Sequence, residues 1–202
     1  MPVDYLVAGL GNPGDRYTRT RHNLGFRAVE ALVRRRGARW GKPSKGLVSA
    51  RADIAGNDVL VIEPLTYMNL SGDVVAPLVT KESLPLNRLL VVCDDFALPL
   101  GTLRLRKGGT DGGHNGLASI IDRLSTIDFA RLRLGVGPVP PRVDPAEFVL
   151  AEFLPEEEAA VEETIAVAAD CIEAWVTLGV ERAMSRFNAR KEAAPPEDPG
   201  GI

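Results

Sequence analysis

Cysteine and histidine are scarce in this sequence, and no apolar run is long enough to cross a membrane. The two cysteines, Cys93 and Cys171, lie far apart, so a disulfide framework is not expected and a reducing cytoplasm fits. No CxxC pair or His/Cys cluster has the spacing of a structural zinc site, so we expect neither a metal nor a cofactor. The amino terminus lacks the basic and apolar segments of a signal peptide, which favours a cytoplasmic protein without a membrane partner.

Composition and charge are those of a globular protein. The chain has 202 residues, of which 45% are hydrophobic and 25% charged, and this length suffices to bury a core without a metal or disulfide. The net charge of -3 argues against a general affinity for nucleic acid. It does not exclude a local basic patch, because clustered charges act over about 8 Å at physiological salt.

Apolar runs and helical periods alternate along the chain. The runs predict strands over residues 3–10, 46–54, 59–62, 88–94, 100–106 and 129–136. The 3.6-residue period predicts helices over 24–36, 70–81, 116–124, 155–179 and 180–190, with Pro77 expected to shorten or kink the second. This alternation, with a hairpin turn at 55–58, predicts a single α/β domain over residues 1–190, with a mixed sheet flanked by helices. The Pro- and Gly-rich segment 191–202 is predicted to be a disordered tail.

A glycine pattern follows the first predicted strand. Gly9, Gly11 and Gly14 satisfy G-x-G-x-x-G, which binds the pyrophosphate of a dinucleotide when a helix opens at the glycines. Here Pro13 interrupts the turn, a polar stretch precedes the helical period, and no acidic residue ends the second strand. We therefore do not expect a dinucleotide site, and a nucleotide-dependent oxidoreductase is the weakest of the functions considered.

Both histidines of the chain, His22 and His114, lie in predicted loops next to an asparagine. One histidine is as often structural as catalytic, but two of two in such loops favour chemistry, because histidine is the usual general base near neutral pH. Asp94 ends a buried strand, where α/β sheets bind ligands, and the alternative is a turn-capping role before Pro99. Alternation directs Cys93 to the opposite face, where it is better interpreted as a small core residue than as a nucleophile.

Two further segments carry polar groups that have two interpretations each. Asn69 either caps a helix or grips a peptide backbone through its amide. Arginines alternate along two predicted strands beside the glycine-rich loop 107–115, and the set comprises Arg104, Arg106, Arg131 and Arg133. They form either one phosphate-binding surface, because a guanidinium binds two oxygens, or a solvated face of the sheet.

Taken together, these segments resemble the bacterial peptidyl-tRNA hydrolase family. The matching stretches follow the family's order from residue 9 to about residue 138: GLGNPGDRYTRTRHNLGF, EPLTYMNLSG, CDDFALPLG, LRLRKGG, GGHNGL and FARLRLGVGP. A glycine pattern alone is unspecific, whereas this combination is highly specific. The resemblance implies an α/β fold with a mixed sheet. It also implies hydrolysis of the ester bond between peptide and tRNA, which recycles tRNA from prematurely released peptidyl-tRNA.

The resemblance implies a role for each matching residue. His22 corresponds to the general base that takes a proton from the attacking water, and Asp94 to the carboxylate that orients it, whereas His114 is not the family's base. Arg106 and Arg133 correspond to the basic positions that clamp the terminal phosphate of the tRNA. We expect peptidyl-tRNA as the partner, and a monomer with no obligatory protein partner, metal or cofactor. The substrate-binding positions are Asn12, Tyr17, Met68, Asn69 and Asn115.

The chain departs from the family at a few positions. Cys93 stands where relatives often carry a larger polar residue, and Lys107 and Thr110 occupy a loop that is often richer in glycine. These differences remove no catalytic residue, but they can change loop shape and rate. The rival function is that of a non-catalytic RNA-binding protein on the same scaffold, and the intact His22 and Asp94 argue against it.

Overall fold

The computed structural model describes residues 3–188 and contains one six-stranded mixed sheet. The strands are β1 (Tyr5–Gly9), β2 (Leu47–Ile54), β3 (Asn57–Pro64), β4 (Leu89–Pro99), β5 (Leu103–Arg106) and β6 (Ala130–Gly137). Their order across the sheet is β2-β3-β1-β4-β6-β5. The four inner strands are parallel, whereas β2 and β5 pair antiparallel at the two edges. The predicted α/β domain with a mixed sheet is therefore confirmed, while the predicted tail over 191–202 lies outside the described residues.

Helices cover both faces of the sheet. They are α1 (Leu24–Arg35), α2 (Gly72–Lys81), α3 (Asn115–Leu124), α4 (Pro145–Leu150), α5 (Glu158–Leu178) and α6 (Val180–Asn188). Neighbouring strand residues point to opposite faces, so Val7 belongs to the apolar layer beneath α1 and α5, whereas Leu6 and Ala8 belong to the layer beneath α2 and α3. Between residues 3 and 188, no helix combines the length and apolar character needed to span a bilayer.

The carboxyl ends of the parallel strands converge at one edge of the sheet. The connection after β1 forms two short 3-10 turns at Asp15–Tyr17 and Arg21–Asn23 before α1 begins. The glycine-rich connection after β5 leads into α3 at the same edge. Ligands of α/β proteins bind at this edge, where loops present side chains above the strand ends. The fold thus brings the turn that carries His22 next to Asp94 in β4.

Two glycines let α1 pack closely against the sheet. A Cβ atom on Gly25 would lie 2.5 Å from the backbone oxygen of Leu10, and one on Gly9 would lie 2.5 Å from a methyl carbon of Val29. Both distances are shorter than real carbon contacts, so glycine is required at each position. α1 begins only at Leu24. No helix therefore opens at the glycine pattern, in agreement with the sequence argument against a dinucleotide site.

Strand β4 and helix α2 differ from the sequence prediction in extent. β4 continues beyond Asp94 to Pro99, with an irregular register between Asp95 and Pro99. Pro77 lies inside α2 without ending it, and the helix continues to Lys81. Pro77 is expected from the sequence to shorten or kink the helix, and the structure shows that it does not end α2 early at the carboxyl end. The helix starts at Gly72, two residues later than predicted.

Helix α4 is absent from the sequence prediction. It spans six residues, Pro145–Leu150, and a helix this short shows no more than part of an amphipathic period. A start signal is nevertheless present in the sequence. The side chain of Asp144 accepts a hydrogen bond from the Ala146 N–H at 2.9 Å, and proline occupies the first helical position.

The amide of Asn188 closes the exposed edge of β5. Its Oδ1 accepts a hydrogen bond from the Leu105 N–H at 2.8 Å, and its Nδ2 donates to the Leu105 carbonyl at 2.9 Å. Because both backbone groups would lose this partner, Asn188→Ala is expected to lower the free energy of unfolding by about 1–2 kcal/mol. Urea denaturation measures the change. Ser185→Ala, on the exposed face of α6, is the matched control and should stay within about 0.5 kcal/mol; an equal effect of both variants would contradict this role of Asn188.

Candidate active site

A cavity of about 740 Å³ opens at the carboxyl edge of the sheet. One side is formed by the loops after β1 and β3, another by the end of β4 and the start of α3, and a third by α4. The lining contains residues that the sequence analysis predicted to be functional and residues that it did not. The polar side chains of the lining are Asn12, His22, Tyr67, Asn69, Asp94, Asp95, His114, Asn115, Arg133 and Asp144.

The centre of the cavity wall is a buried pair formed by His22 and Asp94. The Nδ1 atom of His22 lies 2.8 Å from Oδ1 of Asp94, which is a hydrogen bond from the imidazole to the carboxylate. With its proton on Nδ1, the neutral ring of His22 has Nε2 as a proton acceptor. The sequence-predicted pair is thus in contact, with one nitrogen held and the other available.

Burial and charge act against each other in this pair. Burial disfavours the imidazolium form of His22, but the charge of Asp94 and its hydrogen bond prevail and raise the pKa of His22 above its usual value. Burial alone would raise the pKa of Asp94, yet its interactions with His22 and His114 prevail and hold that pKa well below its usual range. Asp94 therefore remains an ionised acceptor while His22 takes up or releases a proton.

The same carboxylate oxygen also binds His114. The Nε2 atom of His114 lies 3.0 Å from Oδ1 of Asp94. Its other nitrogen, Nδ1, accepts the backbone N–H groups of Gly116 at 3.1 Å and Leu117 at 3.3 Å, so His114 caps helix α3. An acceptor at Nδ1 places the proton on Nε2. Both nitrogens of His114 are therefore occupied, and this ring is unsuited to accept a proton from water.

Among the described residues, one group of histidine and carboxylate side chains brings possible metal ligands together. It consists of His22, Asp94 and His114, whose ligand atoms lie within 4.8 Å of one another. Two imidazole N–H groups that donate to one carboxylate oxygen explain the 2.8 and 3.0 Å distances. Two hydrogen bonds to Asp94 therefore account for the spacing within this group.

Asn12 is fixed on three sides at the mouth of the cavity. Its Oδ1 accepts the Met68 N–H at 2.9 Å, while the amide of Asn23 bonds both the N–H and the carbonyl of Asn12, at 2.9 and 3.0 Å. Because the side-chain oxygen is engaged, the Nδ2 group of Asn12 is the donor left for a ligand. Met68 is buried beside it and lines the same cavity.

Of the other predicted peptide-binding residues, the structure places two in the cavity lining and one outside it. Asn69 and Asn115 line the cavity and are exposed, which leaves their amides accessible. Asn69 lies in the 3-10 turn Met68–Leu70 that precedes α2, and Asn115 is the first residue of α3. Tyr17 is not in the lining of the cavity; its hydroxyl instead accepts a hydrogen bond from the guanidinium of Arg16.

The four arginines singled out in the sequence do not form one exposed surface. Arg131 is buried, and its guanidinium donates to backbone carbonyls of Gly109, Thr110, Ile127 and Phe129. It organises the glycine-rich loop, so its placement on a phosphate-binding surface is wrong. Arg104 and Arg106 are exposed on β5, and neither is in the lining of the cavity.

Arg133 is the arginine that reaches the cavity. Its Nε atom lies 2.9 Å from Oδ2 of Asp95, and its Nη2 donates to the Asp111 carbonyl at 3.4 Å. The other carboxylate oxygen of Asp95 accepts the Ala97 N–H at 2.9 Å, which fixes the carboxylate. Arg133 is thus held at the cavity wall by a partner that the sequence analysis did not identify, although Asp95 adjoins Asp94.

Cys93 behaves as the sequence analysis expected. It is fully buried in the apolar layer beneath α2 and α3, on the opposite face of the sheet from Val92 and the α1 layer. Burial raises the pKa of its thiol far above the usual value, with a further contribution from Asp94. Cys93 is therefore a small core residue and not a nucleophile.

Comparison with known proteins gives matches that extend over nearly the whole chain. A family model described as peptidyl-tRNA hydrolase matches residues 6–195. The peptidyl-tRNA hydrolase of Chloroflexus aggregans is 46% identical over 185 residues, which covers 91% of this chain and 98% of the relative. That of Methylacidiphilum infernorum is 45% identical over 190 residues, with 94% and 100% covered.

A solved structure agrees with these matches. The crystal structure of peptidyl-tRNA hydrolase from Acinetobacter baumannii is similar to this fold with a TM-score of 0.86 at 34% sequence identity. The similarity covers 94% of this chain and 97% of that one.

Proposed function

The chain belongs to the peptidyl-tRNA hydrolase family and hydrolyses peptidyl-tRNA, and we propose that a water molecule activated by His22 attacks the ester carbonyl. The observation that carries this mechanism is the 2.8 Å hydrogen bond between His22 Nδ1 and the ionised Asp94, at the wall of an open cavity. It sets the tautomer in which Nε2 is the basic nitrogen. General base catalysis of this kind typically accelerates a reaction by about 10²- to 10⁴-fold.

The proposed reaction needs no acyl-enzyme intermediate. His22 removes a proton from water as the oxygen attacks the ester carbon, and the tetrahedral intermediate collapses with loss of the ribose oxygen. The proton held by His22 then goes to that leaving oxygen, so His22 returns to its neutral form. Asp94 keeps its charge throughout and stabilises the imidazolium that forms between the two steps.

Neutral amides near His22 suit the peptide part of the substrate. Asn12 offers Nδ2 as a donor, and the exposed amides of Asn69 and Asn115 each offer a donor and an acceptor. A peptide backbone presents N–H and carbonyl groups in alternation, which amides of this type can bind. Asn115 also adjoins His114 at the start of α3, so we propose that it supports the attacking water or the developing oxyanion.

Arg133 and Arg106 are proposed to bind the terminal phosphate of the tRNA. Arg133 lines the cavity, while Arg106 lies exposed on the neighbouring strand β5. Contacts between arginine and phosphate hold the RNA backbone without depending on the base sequence. They also reconcile an acidic chain with an RNA substrate, since attraction is needed only at the phosphate.

Arg133→Met is expected to weaken tRNA binding and to flatten its salt dependence. Removing one cation that neutralises a phosphate lowers the slope of log affinity against log salt by about 0.7–0.9. Arg34→Met is the matched control, because Arg34 is exposed near the far end of α1, a helix of 12 residues that begins close to His22. Fluorescence titration of labelled tRNA at several salt concentrations measures both. An unchanged slope for Arg133→Met would remove Arg133 from the phosphate site.

The test of the whole function is the release of the acyl group from N-acetyl-aminoacyl-tRNA, run beside the same tRNA with a free amino group. Release from the blocked substrate alone is the expected result, because the cleft is proposed to bind a peptide amide. Binding of both tRNAs without release would favour the rival function, a non-catalytic RNA-binding protein on this scaffold.

The catalytic cluster is complete within one chain, so we propose a monomer that acts in the cytoplasm, where ribosomes produce the substrate.

A further inference from the structure

The residue directly before His22 is a buried arginine whose contacts lie mostly on another part of the chain. Arg21 is 4% exposed. Its backbone N–H donates to the Ala151 carbonyl at 3.0 Å, and its Nη1 donates to the Glu152 carbonyl at 2.6 Å. Its Nη2 forms an ion pair with Glu157 at 2.6 Å. All three partners follow α4 in sequence, between the end of that helix and the start of α5.

The guanidinium of Arg21 also contacts two aromatic rings. Its central carbon lies 4.4 Å from the ring centre of Phe148, in α4, and 5.1 Å from that of Phe153. A neighbouring backbone bridge, Thr20 to Glu152, runs beside these contacts. One planar cation thus ties the turn that carries His22 to both ends of the segment that leaves α4.

An arginine is specifically suited to this position. Its planar fork donates to a carbonyl and a carboxylate at once while its faces stack on rings, whereas lysine offers one compact ammonium. A buried cation is tolerated only when it is paired and hydrogen-bonded, and these contacts supply that pairing. Displacing the segment after α4 would therefore leave the charge of Arg21 without partners.

Helix α4 forms the wall of the cavity that faces this turn. Its residues Pro145, Ala146, Val149 and Leu150 line the cavity, while Phe148 turns inward to the guanidinium. The helix has only six residues and cannot hold its own position by length. The wall and the base-bearing turn are therefore placed relative to each other by contacts that converge on Arg21.

We propose that Arg21 is a positioning residue for the hydrolase reaction, which fixes the α4 wall against the His22 turn and so sets both the substrate fit and the orientation of the base. The proposal rests on the function proposed above. Arg21 itself touches no reacting atom. Its loss is expected to raise KM through the displaced wall and to lower kcat through the less ordered imidazole.

Arg21→Lys is the first variant, and Arg27→Lys is its matched control. Arg27 also pairs with α5, through Glu158 and Glu162 at 2.9 Å each, but it has no hydrogen bond to the segment after α4. Steady-state kinetics on N-acetyl-aminoacyl-tRNA are expected to show kcat/KM lowered at least tenfold for Arg21→Lys, with KM and kcat both affected. Arg27→Lys is expected to stay within about twofold of the unmodified protein, because lysine keeps the charge that faces Glu158 and Glu162. The contact of Arg27 with the segment after α4 is limited to the Phe153 ring, whose centre lies 5.7 Å from its guanidinium carbon.

Hydrogen exchange provides a readout independent of activity. Backbone amides of residues 146–154 are expected to exchange at least tenfold faster in Arg21→Lys than in Arg27→Lys, while those of β4 stay protected. Glu157→Gln, which keeps the shape and removes the charge, should change exchange and KM in the same direction to a smaller extent. It replaces Arg21→Lys if that variant does not fold.

The outcomes separate this proposal from the one on which it rests. If the unmodified protein released no acyl group, the hydrolase function would be wrong, and the exchange experiment would still test the attachment of α4. If Arg21→Lys lowered the melting temperature but left KM, kcat and the amide exchange of residues 146–154 equal to those of Arg27→Lys, Arg21 would be a structural residue alone. That result would overturn the proposal.

Discussion

Replacing His22 with alanine is expected to lower kcat by about 10²- to 10⁴-fold while tRNA binding persists. The variant removes the one nitrogen of the buried cluster that is free to accept a proton, His22 Nε2. It leaves Arg106 and Arg133, which are proposed to bind the phosphate, in place. The loss should therefore fall on turnover and not on affinity, which single-turnover kinetics and a binding titration measure separately.

His114→Asn is the comparison that makes this prediction sharp. Asparagine is a good helix N-cap, so α3 keeps its cap while Asp94 loses one of its two hydrogen bonds. Since neither nitrogen of His114 is free, its replacement should reduce kcat much less than His22→Ala does. The opposite order, with His114→Asn the more damaging change, would exchange the roles assigned to the two histidines.

Asp94→Asn is expected to lower kcat by about 10²- to 10⁴-fold and to move the pH profile to lower pH. Activity requires neutral His22, so it rises as the pH passes upward through the pKa of that residue. The carboxylate raises this pKa against the effect of burial. Without the negative charge, burial acts unopposed and the pKa falls. The midpoint of the kcat profile should therefore shift downward, while the plateau at high pH is lower.

Asp95→Asn is the matched control for the pH measurement. Asp95 is the adjacent buried carboxylate, but its contacts are Arg133 and the Ala97 N–H, not a histidine. Its replacement should leave the midpoint in place, whatever it does to tRNA binding. A midpoint that stays fixed in Asp94→Asn, or shifts equally in both variants, would contradict the assignment of Asp94 as the carboxylate that polarises the base.

The sequence predicts the layered architecture well because the signals for it are local. The run from Tyr5 to Leu10 contains no charged residue, as expected for a strand buried on both faces. The hairpin turn at Ala55 and Gly56 has the positive φ angles of a tight two-residue connection. Helix α4 lacks such a signal, since six residues carry little periodicity. The extension of β4 to Pro99 is set by pairing with β6, which no local pattern reports.

The candidate site is predicted in part for a similar reason. Residue type and family resemblance identify His22, Asp94 and the amides of Asn12, Asn69 and Asn115, and the structure brings all of them to one cavity. Residue type and resemblance do not show that Asp94 binds two histidines through one oxygen. Nor do they show that Arg131 turns inward to carbonyl groups while Arg133 reaches the cavity. Those outcomes depend on contacts between segments distant in sequence, such as the Arg131 bonds to residues 109 and 110.

The Asn188 amide on β5 also limits how far the protein can be shortened. An unpaired strand edge is a template for another chain, and at Leu105 a single side chain from the last described helix occupies that template. An engineered stop directly before residue 188 would leave the catalytic cluster intact but uncover the edge. The shortened enzyme would then be lost from solution by strand-to-strand association before its chemistry failed.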